Sequence, residues 1–351
     1  MIRNFVIPAA GKSSRFPNMK PKWMLTHPHG KLMIERVLEP YDFSTFDNVY
    51  IVLTEEQCQK YDADIILEQI YGDKIKLVIL DSPTGSCPET IYEFLKQEKV
   101  TGHITVKDCD CYVDFDKPDN CDNFIVGLSV HSTDNLNNLP AKSFIIRDEQ
   151  KRIIQDIVEK KIVSEEICIG VYGCLVEDFL NSYIKLIHES NIHELYMSHI
   201  ISNLIINSNK VFQYIEANDF IDWGTAEDWF KYTKKFKTYI FDIDGVLLNN
   251  VGRYGTKNWN NTFEPIEENI KVLKKLSDEG NELVFMTARD EEHLKEFKDY
   301  LIERKINYKT IISSCNHSQR IVINDYSNTN PYPSCNSISM KRNGTLGDYI
   351  K

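Results

Sequence analysis

Short apolar runs alternate with amphipathic stretches along this chain of 351 residues, and the alternation begins again after residue 237. Parallel strands must be joined by crossovers, which are usually helices, so the alternation favours an α/β fold with a mainly parallel sheet. In the first part we predict strands at residues 5–8, 49–53, 75–80, 103–106, 124–130, 143–147 and 167–173. Helices are predicted there at residues 33–38, 89–97, 175–189 and 194–207.

A basic stretch at residues 231–237 interrupts this pattern before a second α/β series begins. In that series the predicted strands are 238–241, 282–286 and 320–324, and the predicted helices are 267–278 and 291–305. We therefore expect two Rossmann-like α/β domains, a larger one at residues 1–232 and a smaller one at residues 237–351.

The composition is that of a soluble globular protein, with 42% hydrophobic and 26% charged residues. A net charge of −11 opposes non-specific attraction to nucleic acid and favours metal cations, or a substrate bound through a local basic cluster. No apolar run could cross a bilayer and no secretory signal is evident, so we expect a cytoplasmic protein with neither a membrane nor a nucleic acid as partner. The nine scattered cysteines fit reduced thiols better than a disulfide framework.

A turn of small residues that carries two cations follows the first predicted strand. Exposed backbone N–H groups in such a turn can hold a triphosphate. Small residues after a strand also serve any tight strand-to-helix connection, so the turn alone is a weak signal. The candidate nucleotide-binding residues in it are Ala9, Ala10, Gly11, Lys12, Ser13, Ser14 and Arg15.

Together with the segments that follow, the turn resembles the opening of the sugar-phosphate nucleotidyltransferases. A Pro-Lys pair ends at Lys22, a Met-Ile helix start follows at residue 33, and a segment from Gly85 to Thr90 precedes another helix. The resemblance implies that Arg15 and Lys22 are catalytic, contacting the phosphates and stabilising the leaving pyrophosphate. It also implies that Gly85 and Thr90 lie in the base-recognition loop, and that the first domain is a nucleotidyltransferase α/β/α sandwich.

Two later segments supply carboxylates in the order that this family shows. The fourth predicted strand leads into Asp108 and Asp110, and Asp222 opens an Asp-x-Gly-Thr-x-x-Asp segment. The resemblance implies that Asp110 and Asp222 bind Mg²⁺, which prefers one or two carboxylates plus substrate phosphates. Asp108 is the second choice for this metal role and a candidate nucleotide-binding residue. The resemblance further places Lys160, with Gly170, at the phosphate of the acceptor.

These motifs also allow alternative assignments. An Asp-x-Asp after a strand is also the metal motif of glycosyltransferases, although the Pro-Lys pair and the Trp-Gly-Thr segment at residues 223–225 argue against them. Asp222 could merely cap a helix, Arg15 could pair with a surface carboxylate, and Lys160 could lie in a solvated turn. Several motifs in the family's order favour the transferase.

The strongest single motif is Asp-Ile-Asp-Gly at residues 242–245, directly after an apolar strand. It resembles the first motif of haloacid dehalogenase-type phosphatases, in which one Asp attacks the phosphate and the other is the acid/base. The resemblance implies that Asp242 is the nucleophile, that Asp244 is the acid/base, and that both bind Mg²⁺. Thr287, after the next strand, would hydrogen-bond the transferring phosphoryl group.

The remaining haloacid dehalogenase motifs match less fully. Asp325 is implied as a further Mg²⁺ ligand, although Asn324 stands where the family usually has a second acidic residue. Arg320 is the favoured cation of the third motif, and Lys309 is the alternative. Only one helix and a polar loop at residues 249–261 separate the first two motifs, so we expect no large cap domain.

The two resemblances together imply a bifunctional enzyme that uses Mg²⁺ in both domains. The first domain would transfer a nucleotidyl group, with CTP the favoured donor, to a phosphorylated sugar or polyol and release pyrophosphate. The second would hydrolyse a phosphate monoester in the same pathway towards a surface-glycan or capsule precursor. The alternatives are a glycosyltransferase fused to a phosphatase, and a transferase with a non-catalytic C-terminal module. The sequence leaves open UTP, GTP or dTTP as donor, the identity of the acceptor, and the formation of a homo-oligomer.

Overall fold

The computed structural model describes residues 1–116, 122–132, 136, 138–148, 152–189, 194–250, 263–325 and 335–350. The chain divides into two compact units, Met1–Tyr232 (unit 1) and Thr233–Lys351 (unit 2). Within the described ranges, no helix has both the length and the apolar character needed to cross a membrane.

Unit 1 is built on one large sheet. Its strands are β1 (Arg3–Pro8), β2 (Asn48–Thr54), β3 (Lys76–Leu80), β4 (His103–Lys107), β5 (Cys111–Phe115), β6 (Phe124–Ser129), β7 (Ser143–Asp148), β8 (Ile153–Glu159), β9 (Glu166–Leu175) and β10 (Phe212–Asp222). Its helices are α1 (Met33–Leu38), α2 (Glu55–Tyr61), α3 (Ala63–Tyr71), α4 (Cys87–Glu98), α5 (Val176–Glu189), α6 (Met197–Ser208) and α7 (Ala226–Thr233).

The strand order is β3-β2-β1-β4-β9-β6-β10-β8-β7, with β5 paired to β10. Strands β1 to β4 pair in parallel, as the alternation of strands and helices predicts. Beyond β4 the sheet is mixed, because β9 runs antiparallel to both β4 and β6. Since β10 is parallel to β6, it runs in the same direction as β4.

The central strands of unit 1 bury both of their faces. Val6 and Val52 pack in one apolar cluster with residues of α4, α5 and α6. Their sequence neighbours Phe5 and Ile51 belong to a second cluster, which contains residues of α1, α3 and α7. Because successive side chains of a strand point to opposite faces, this division gives helices on both sides of the sheet.

Unit 2 has a three-stranded parallel sheet in the order β11-β12-β13. Its elements are β11 (Thr238–Asp242), α8 (Glu267–Asp278), β12 (Glu282–Met286), α9 (Lys295–Glu303) and β13 (Thr310–Ile312). Phe241, Leu273, Phe285 and Phe297 are buried together at the centre of this unit. We expected no large cap domain because only a short polar loop is available for one. Residues 251–261 of that loop lie outside the described residues.

The strand predicted at residues 320–324 is wrong. Ile321 and Ile323 are 76% and 92% exposed, and the segment forms no strand. The third strand of the sheet is instead β13, three residues long, which pairs with β12. An apolar run becomes a buried strand only where a neighbouring strand is available to pair with it, and sequence periodicity alone does not identify that neighbour.

Candidate functional site

Three polar segments of unit 1 follow strands that run in the same direction. Residues 9–16 follow β1, Asp108 and Asp110 follow β4, and Asp222 is the last residue of β10. Strand β1 is parallel to β4, and β10 is parallel to β4 through β6 and β9. The carboxyl ends of these strands therefore lie at the same edge of the sheet, where open α/β sheets bind ligands.

Two cations approach the carboxylate of Asp110, a residue that is 8% exposed. Lys22 Nζ lies 2.6 Å and Arg15 Nη2 lies 3.4 Å from Asp110 Oδ2. Burial favours the neutral acid, but the charges of Lys22 and Arg15 outweigh it and hold the pKa of Asp110 well below its usual range. Burial also lowers the pKa of Lys22, yet the attraction to Asp110 outweighs this and raises it. The group is an ionised carboxylate with two cations at neutral pH.

Asp222 lies beside Asp110 and has a cation of its own. The N–H of Trp223 donates to the main-chain oxygen of Asp110 at 3.0 Å, which joins the two segments. The N–H of Gly224 donates to Asp222 Oδ1 at 3.0 Å. The ammonium group of Lys142, which immediately precedes β7, forms an ion pair with Asp222.

The three charged groups converge around Gly224. A Cβ atom placed there would lie 3.0 Å from Asp222 Oδ1, 3.3 Å from Arg15 Nη1 and 3.7 Å from Asp110 Oδ2. A larger residue would crowd these groups, so the glycine of the Trp-Gly-Thr segment keeps space between the two carboxylates and the cation.

The donor set at Gly224 fits Mg²⁺ bound together with a substrate. Among the described residues, no three His, Cys, Asp or Glu side chains form a group that could hold a metal ion. Mg²⁺, however, commonly uses one or two carboxylates and takes its other ligands from phosphates and water. Asp110 and Asp222 supply the two carboxylates, and the neighbouring cations suit a polyphosphate.

The turn after β1 is fixed at its start and open at its tip. Ala9 and Ala10 are buried; the Ala9 N–H donates to the Val52 oxygen at 2.9 Å, and the Ala10 oxygen accepts from the Thr84 N–H at 3.1 Å. At the tip, Gly11, Lys12, Ser14 and Arg15 are exposed, whereas Ser13 is half-buried and its hydroxyl accepts from the Lys22 N–H at 3.3 Å. The turn therefore presents exposed groups beside Asp110, and its binding of a nucleotide stays a prediction.

The predicted base-recognition loop is held by its own hydrogen bonds. Thr90 is buried, with its Oγ1 2.5 Å from Thr84 Oγ1, and it donates to the Ser86 oxygen at 3.1 Å. The Gly85 N–H donates to Glu89 Oε2 at 2.5 Å. Thr90 thus stabilises the loop through its bonds to Thr84 and Ser86. A contact of Gly85 with a nucleotide base stays a prediction.

Asp108 packs against Gly170 in β9, away from the cations that surround Asp110. Its N–H donates to the Gly170 oxygen at 2.8 Å, and Cys87 Sγ lies 3.8 Å from its Oδ1. Gly170 has φ of +82°, and a Cβ there would lie 2.7 Å from Asp108 Oδ2. Burial first, and the charge of Asp110 second, raise the pKa of Asp108 to about 6. The side chain of Asp108 therefore leaves no room for a Cβ atom at position 170. The predicted contact of Gly170 with an acceptor stays a prediction.

Lys160, the predicted ligand of the acceptor phosphate, contacts neither Asp110 nor Asp222. Its ammonium group is hydrogen-bonded to the Tyr196 hydroxyl and lies 4.0 Å from the centroid of that ring. The lysine that contacts Asp222 is Lys142 instead. Sequence reasoning missed it, because a lone lysine in a polar segment before a strand has no distinguishing pattern.

A second lysine that sequence reasoning missed, Lys107, stabilises the loop between the two aspartates. It is fully buried, and its Nζ donates to the Asp108 oxygen at 2.7 Å and to the Cys111 oxygen at 2.8 Å. Its position at the end of an apolar strand was the available signal. A buried cation that satisfies loop carbonyls fixes the direction in which Asp110 leaves β4.

In unit 2, Asp242 lies at the end of β11 with a side chain that is 48% exposed. Its Oδ1 accepts from the Ile243 N–H at 3.0 Å and lies 3.9 Å from Arg320 Nη2. Burial raises its pKa, although Arg320 opposes the shift. Of the two predicted third-motif cations, Arg320 thus lies near Asp242, whereas Lys309 pairs with Glu282 at 3.7 Å.

Asp244 is held by Arg289, which sequence reasoning missed. Arg289 is 2% exposed; its Nη2 lies 2.7 Å from Asp244 Oδ1, and its Nε lies 3.0 Å from Oδ2. Thr287 is fully buried and donates to Asp244 Oδ2 at 3.4 Å. Among the described residues no group of three His, Cys, Asp or Glu side chains that could hold a metal ion is found, and the Mg²⁺ role of Asp242, Asp244 and Asp325 stays a prediction.

A cavity of about 690 Å³ opens elsewhere in unit 1. Its wall includes Lys31 before α1, Glu35 in α1, Tyr41 and Phe43 after α1, and Tyr71 at the end of α3. None of the candidate site residues lines it, so the candidate site remains the edge of the sheet around Gly224.

The first third of the chain matches a known family. The family model of the MobA-like NTP transferase domain matches residues 5–112, which contain the turn after β1, Lys22 and Asp110. No curated protein matches the chain.

Solved structures match over about two thirds of the chain. A nucleoside-diphosphate-sugar pyrophosphorylase from Vibrio cholerae is 23% identical, with a TM-score of 0.55, over 66% of this chain and 99% of its own. The inositol-1-phosphate CTP transferase from T. maritima is 11% identical, with a TM-score of 0.52, over 67% and 95%. The CTP:phosphocholine cytidylyltransferase from Streptococcus pneumoniae is 17% identical, with a TM-score of 0.52, over 67% and 99%. At these identities the likeness shows the fold alone. The match to the MobA-like NTP transferase domain therefore lies within unit 1, and about two thirds of the chain has the fold of these three solved structures.

Proposed function

We propose that unit 1 is a Mg²⁺-dependent nucleotidyltransferase that transfers a nucleoside monophosphate from a nucleoside triphosphate to a phosphorylated sugar or polyol. The observation that carries the proposal is the convergence of Arg15 and Lys22 on Asp110, beside Asp222, at the carboxyl edge of the sheet. A site for this reaction needs cations for a triphosphate and carboxylates for the metal, and both are present within a few ångströms of Gly224.

The chemistry follows from these groups. An oxygen of the acceptor phosphate attacks the α-phosphorus in line, the bond from that phosphorus to the bridging oxygen breaks, and pyrophosphate leaves with the electron pair. Arg15 and Lys22 stabilise the charge that develops on the leaving pyrophosphate. Mg²⁺, held by Asp110 and Asp222 when it is bound, would supply charge neutralisation on the triphosphate.

The substrate class rests on the solved structures with the same fold. Two of those proteins are named for transfer from CTP, to inositol 1-phosphate and to phosphocholine, and a third is named as a nucleoside-diphosphate-sugar pyrophosphorylase. The turn of this chain also resembles that of small-polyol and phosphocholine cytidylyltransferases. We infer CTP as the donor and a small phosphorylated sugar or polyol as the acceptor, used for a nucleotide-activated precursor of a surface glycan.

The test is pyrophosphate release with Mg²⁺ and each common nucleoside triphosphate, against a panel of sugar and polyol phosphates. We expect release with one donor and a narrow set of acceptors, and its loss in Asp110→Asn. If the wild-type chain releases no pyrophosphate with any of the triphosphates, the proposal is contradicted. Release of a nucleoside diphosphate from a nucleotide sugar would favour glycosyl transfer instead.

For unit 2, the proposed activity is hydrolysis of a phosphate monoester. Asp242 would attack the phosphorus to form an aspartyl-phosphate, Asp244 would protonate the leaving alcohol, and water would then release phosphate. The observation that favours it is a half-exposed Asp242 with Arg320 nearby and a neighbouring Asp244 held by Arg289. The binding of Mg²⁺ by Asp242, Asp244 and Asp325 stays a prediction, and no step is assigned to the metal.

Phosphate release from p-nitrophenyl phosphate and from sugar phosphates tests the proposal for unit 2. We expect Asp242→Asn to abolish release while the chain stays folded. Release that persists in this variant would exclude Asp242 as the nucleophile, and a wild-type chain that binds phosphate esters without hydrolysing them would leave unit 2 as a binding module.

A further inference from the structure

We propose that Lys142 is the residue that binds the phosphate of the acceptor, and that Lys160 has a structural role at Tyr196. The inference rests on the proposed nucleotidyltransferase activity of unit 1 and identifies a substrate-binding residue of that site. Neither the sequence motifs nor the family resemblance assigns a role to Lys142.

The first argument is the position of Lys142 at the carboxylate pair. Its ammonium group contacts Asp222, whose side chain is 8% exposed, while 22% of its own side chain remains exposed. Asp110 receives its cations from the segments after β1, whereas Asp222 receives Lys142, which immediately precedes β7 in a different part of the sheet. The pair of carboxylates thus has cations from two independent sources.

The second argument is the geometry that the reaction requires. In an in-line displacement, the attacking oxygen and the leaving oxygen lie on opposite sides of the reacting phosphorus. Each of them belongs to a phosphate, so cations are needed at both. Arg15 and Lys22, which come from the turn and the Pro-Lys pair, serve the leaving pyrophosphate, and Lys142 is placed at the other carboxylate to serve the attacking phosphate.

The third argument concerns the two lysines of the β7–β8 hairpin. The N–H of Lys160 donates to the main-chain oxygen of Lys142 at 3.0 Å, so the two residues are adjacent. Their side chains nevertheless have different partners. Lys160 is bonded to Tyr196, whose hydroxyl is also hydrogen-bonded to Glu194, and Lys142 is bonded to Asp222. The hairpin therefore directs only Lys142 to the carboxylate pair.

When the acceptor binds, Lys142 would exchange one negatively charged partner for another. In the free protein its ammonium pairs with Asp222, and in the complex it pairs with the acceptor phosphate. That exchange leaves the Asp222 carboxylate available at the moment when the substrates are bound. A lysine suits this exchange because its flexible stem lets a single charge move between two acceptors.

The test uses the full chain and the variants Lys142→Met, Lys142→Arg and Lys160→Met, each first checked for folding by thermal unfolding. Binding is measured with inorganic phosphate, by ³¹P line broadening in the presence of Mg²⁺ and a non-hydrolysable CTP analogue. We expect Lys142→Met to weaken phosphate binding by about tenfold or more, as for the loss of a charge-assisted hydrogen bond. Lys142→Arg should retain most of the binding, and Lys160→Met should bind as the wild type does.

The kinetic counterpart is measured with the donor and acceptor that release pyrophosphate. Lys142→Met should raise the KM of the acceptor by about tenfold or more and leave the KM of the triphosphate unchanged. Unchanged acceptor KM with an altered Mg²⁺ dependence would show that Lys142 only neutralises Asp222, and would overturn the inference. Wild-type protein that fails to bind phosphate, or a loss confined to Lys160→Met, would overturn it as well. Absence of pyrophosphate from the wild type with every substrate pair would be a failure of the proposed function itself.

Discussion

Asp108 and Asp110 are two residues apart, yet their pKa values are shifted in opposite directions. Lys22 and Arg15 lower the pKa of Asp110, whereas burial and the neighbouring Asp110 raise that of Asp108 to about 6. The separation arises because β4 ends at Lys107, after which one side chain faces the cations and the other packs beneath Gly170. Neighbouring carboxylates with separated pKa values are typical of functional sites.

The raised pKa of Asp108 predicts a specific pH dependence of stability. In the unfolded chain an Asp has a pKa of about 3.9, so the folded state binds the proton of Asp108 more tightly. Its contribution is fully present below about pH 4 and is lost as the pH rises through about 6. The loss corresponds to about 2–3 kcal/mol in the free energy of unfolding.

The measurement is chemical unfolding of unit 1 between pH 4 and pH 7 for the wild type and Asp108→Asn. Three of the four tryptophans, Trp23, Trp223 and Trp229, lie in unit 1 and report its unfolding. We expect the wild type to lose stability relative to the variant as the pH rises. A constant difference across this range would show that the pKa of Asp108 is not raised.

Removal of the charge of Lys22 should impair both catalysis and stability. In Lys22→Met, Asp110 keeps only the longer contact to Arg15, so a mostly buried carboxylate loses its closest partner. We expect pyrophosphate release to fall about a hundredfold or more, and the free energy of unfolding to fall by about 2 kcal/mol. The matched control is Lys20→Met, because Lys20 is a nearby exposed lysine. This variant should change neither pyrophosphate release nor the free energy of unfolding appreciably. Equal effects of the two variants would exclude a special role of Lys22.

At the scale of secondary structure elements, β9 provides the backbone against which Asp108 packs. Gly170 in β9 has φ of +82°, and an added Cβ would lie 2.7 Å from Asp108 Oδ2. Gly170→Ala should therefore lower the free energy of unfolding by about 1–3 kcal/mol, through both backbone strain and displacement of Asp108.

The comparison is with Gly11→Ala, because a Cβ at Gly11 would meet no atom within 4 Å. Urea unfolding followed by tryptophan fluorescence measures both variants. We expect a clear loss for Gly170→Ala and a loss of at most about 0.5 kcal/mol for Gly11→Ala. Similar stabilities of the two would show that β9 adjusts around the added methyl group.

Much of the element pattern could be predicted from the sequence, because strongly periodic segments form the structures that their periodicity favours. Helices α1 and α8 have the bounds that the sequence predicts, and so does β12. Of the strands that were missed, β5 and β10 pair with each other across a long separation in sequence. Strands β8 and β13 were missed as well, although β8 pairs mainly with its neighbour β7. The antiparallel direction of β9 was not predicted either, because the partners of a strand are set by tertiary packing.

Motif reasoning predicted the residues at the site whose positions follow from local sequence. Arg15, Lys22, Asp110 and Asp222 lie close together because three parallel strands end at one edge. Lys142 could not be predicted, because its contact with Asp222 spans 80 residues and depends on the placement of β7. Sequence motifs identify residues near strand ends, and they do not identify side chains that arrive from a different part of the sheet.

At the scale of the whole molecule, each unit has its own apolar core. All contacts described for Arg15, Lys22, Asp110, Lys142 and Asp222 lie within unit 1. A fragment of residues 1–232 should therefore fold and retain most of the nucleotidyl transfer of the full chain.

Pyrophosphate release per mole of fragment, with tryptophan fluorescence as the measure of folding, checks this prediction. Asp242→Asn in the full chain is the companion variant and should leave pyrophosphate release unchanged. A folded fragment without activity would show that unit 2 contributes to the transferase site.

The most direct test of the central claim follows the α-phosphorus of the triphosphate. With CTP labelled at that position, Mg²⁺ and the acceptor panel, we expect the label in a new diphosphate that joins cytidine to the acceptor, with an equal amount of pyrophosphate. In Asp110→Asn both products should disappear together. Label that appears only in CMP or CDP, or that stays in CTP with every acceptor, would contradict nucleotidyl transfer from CTP at this site.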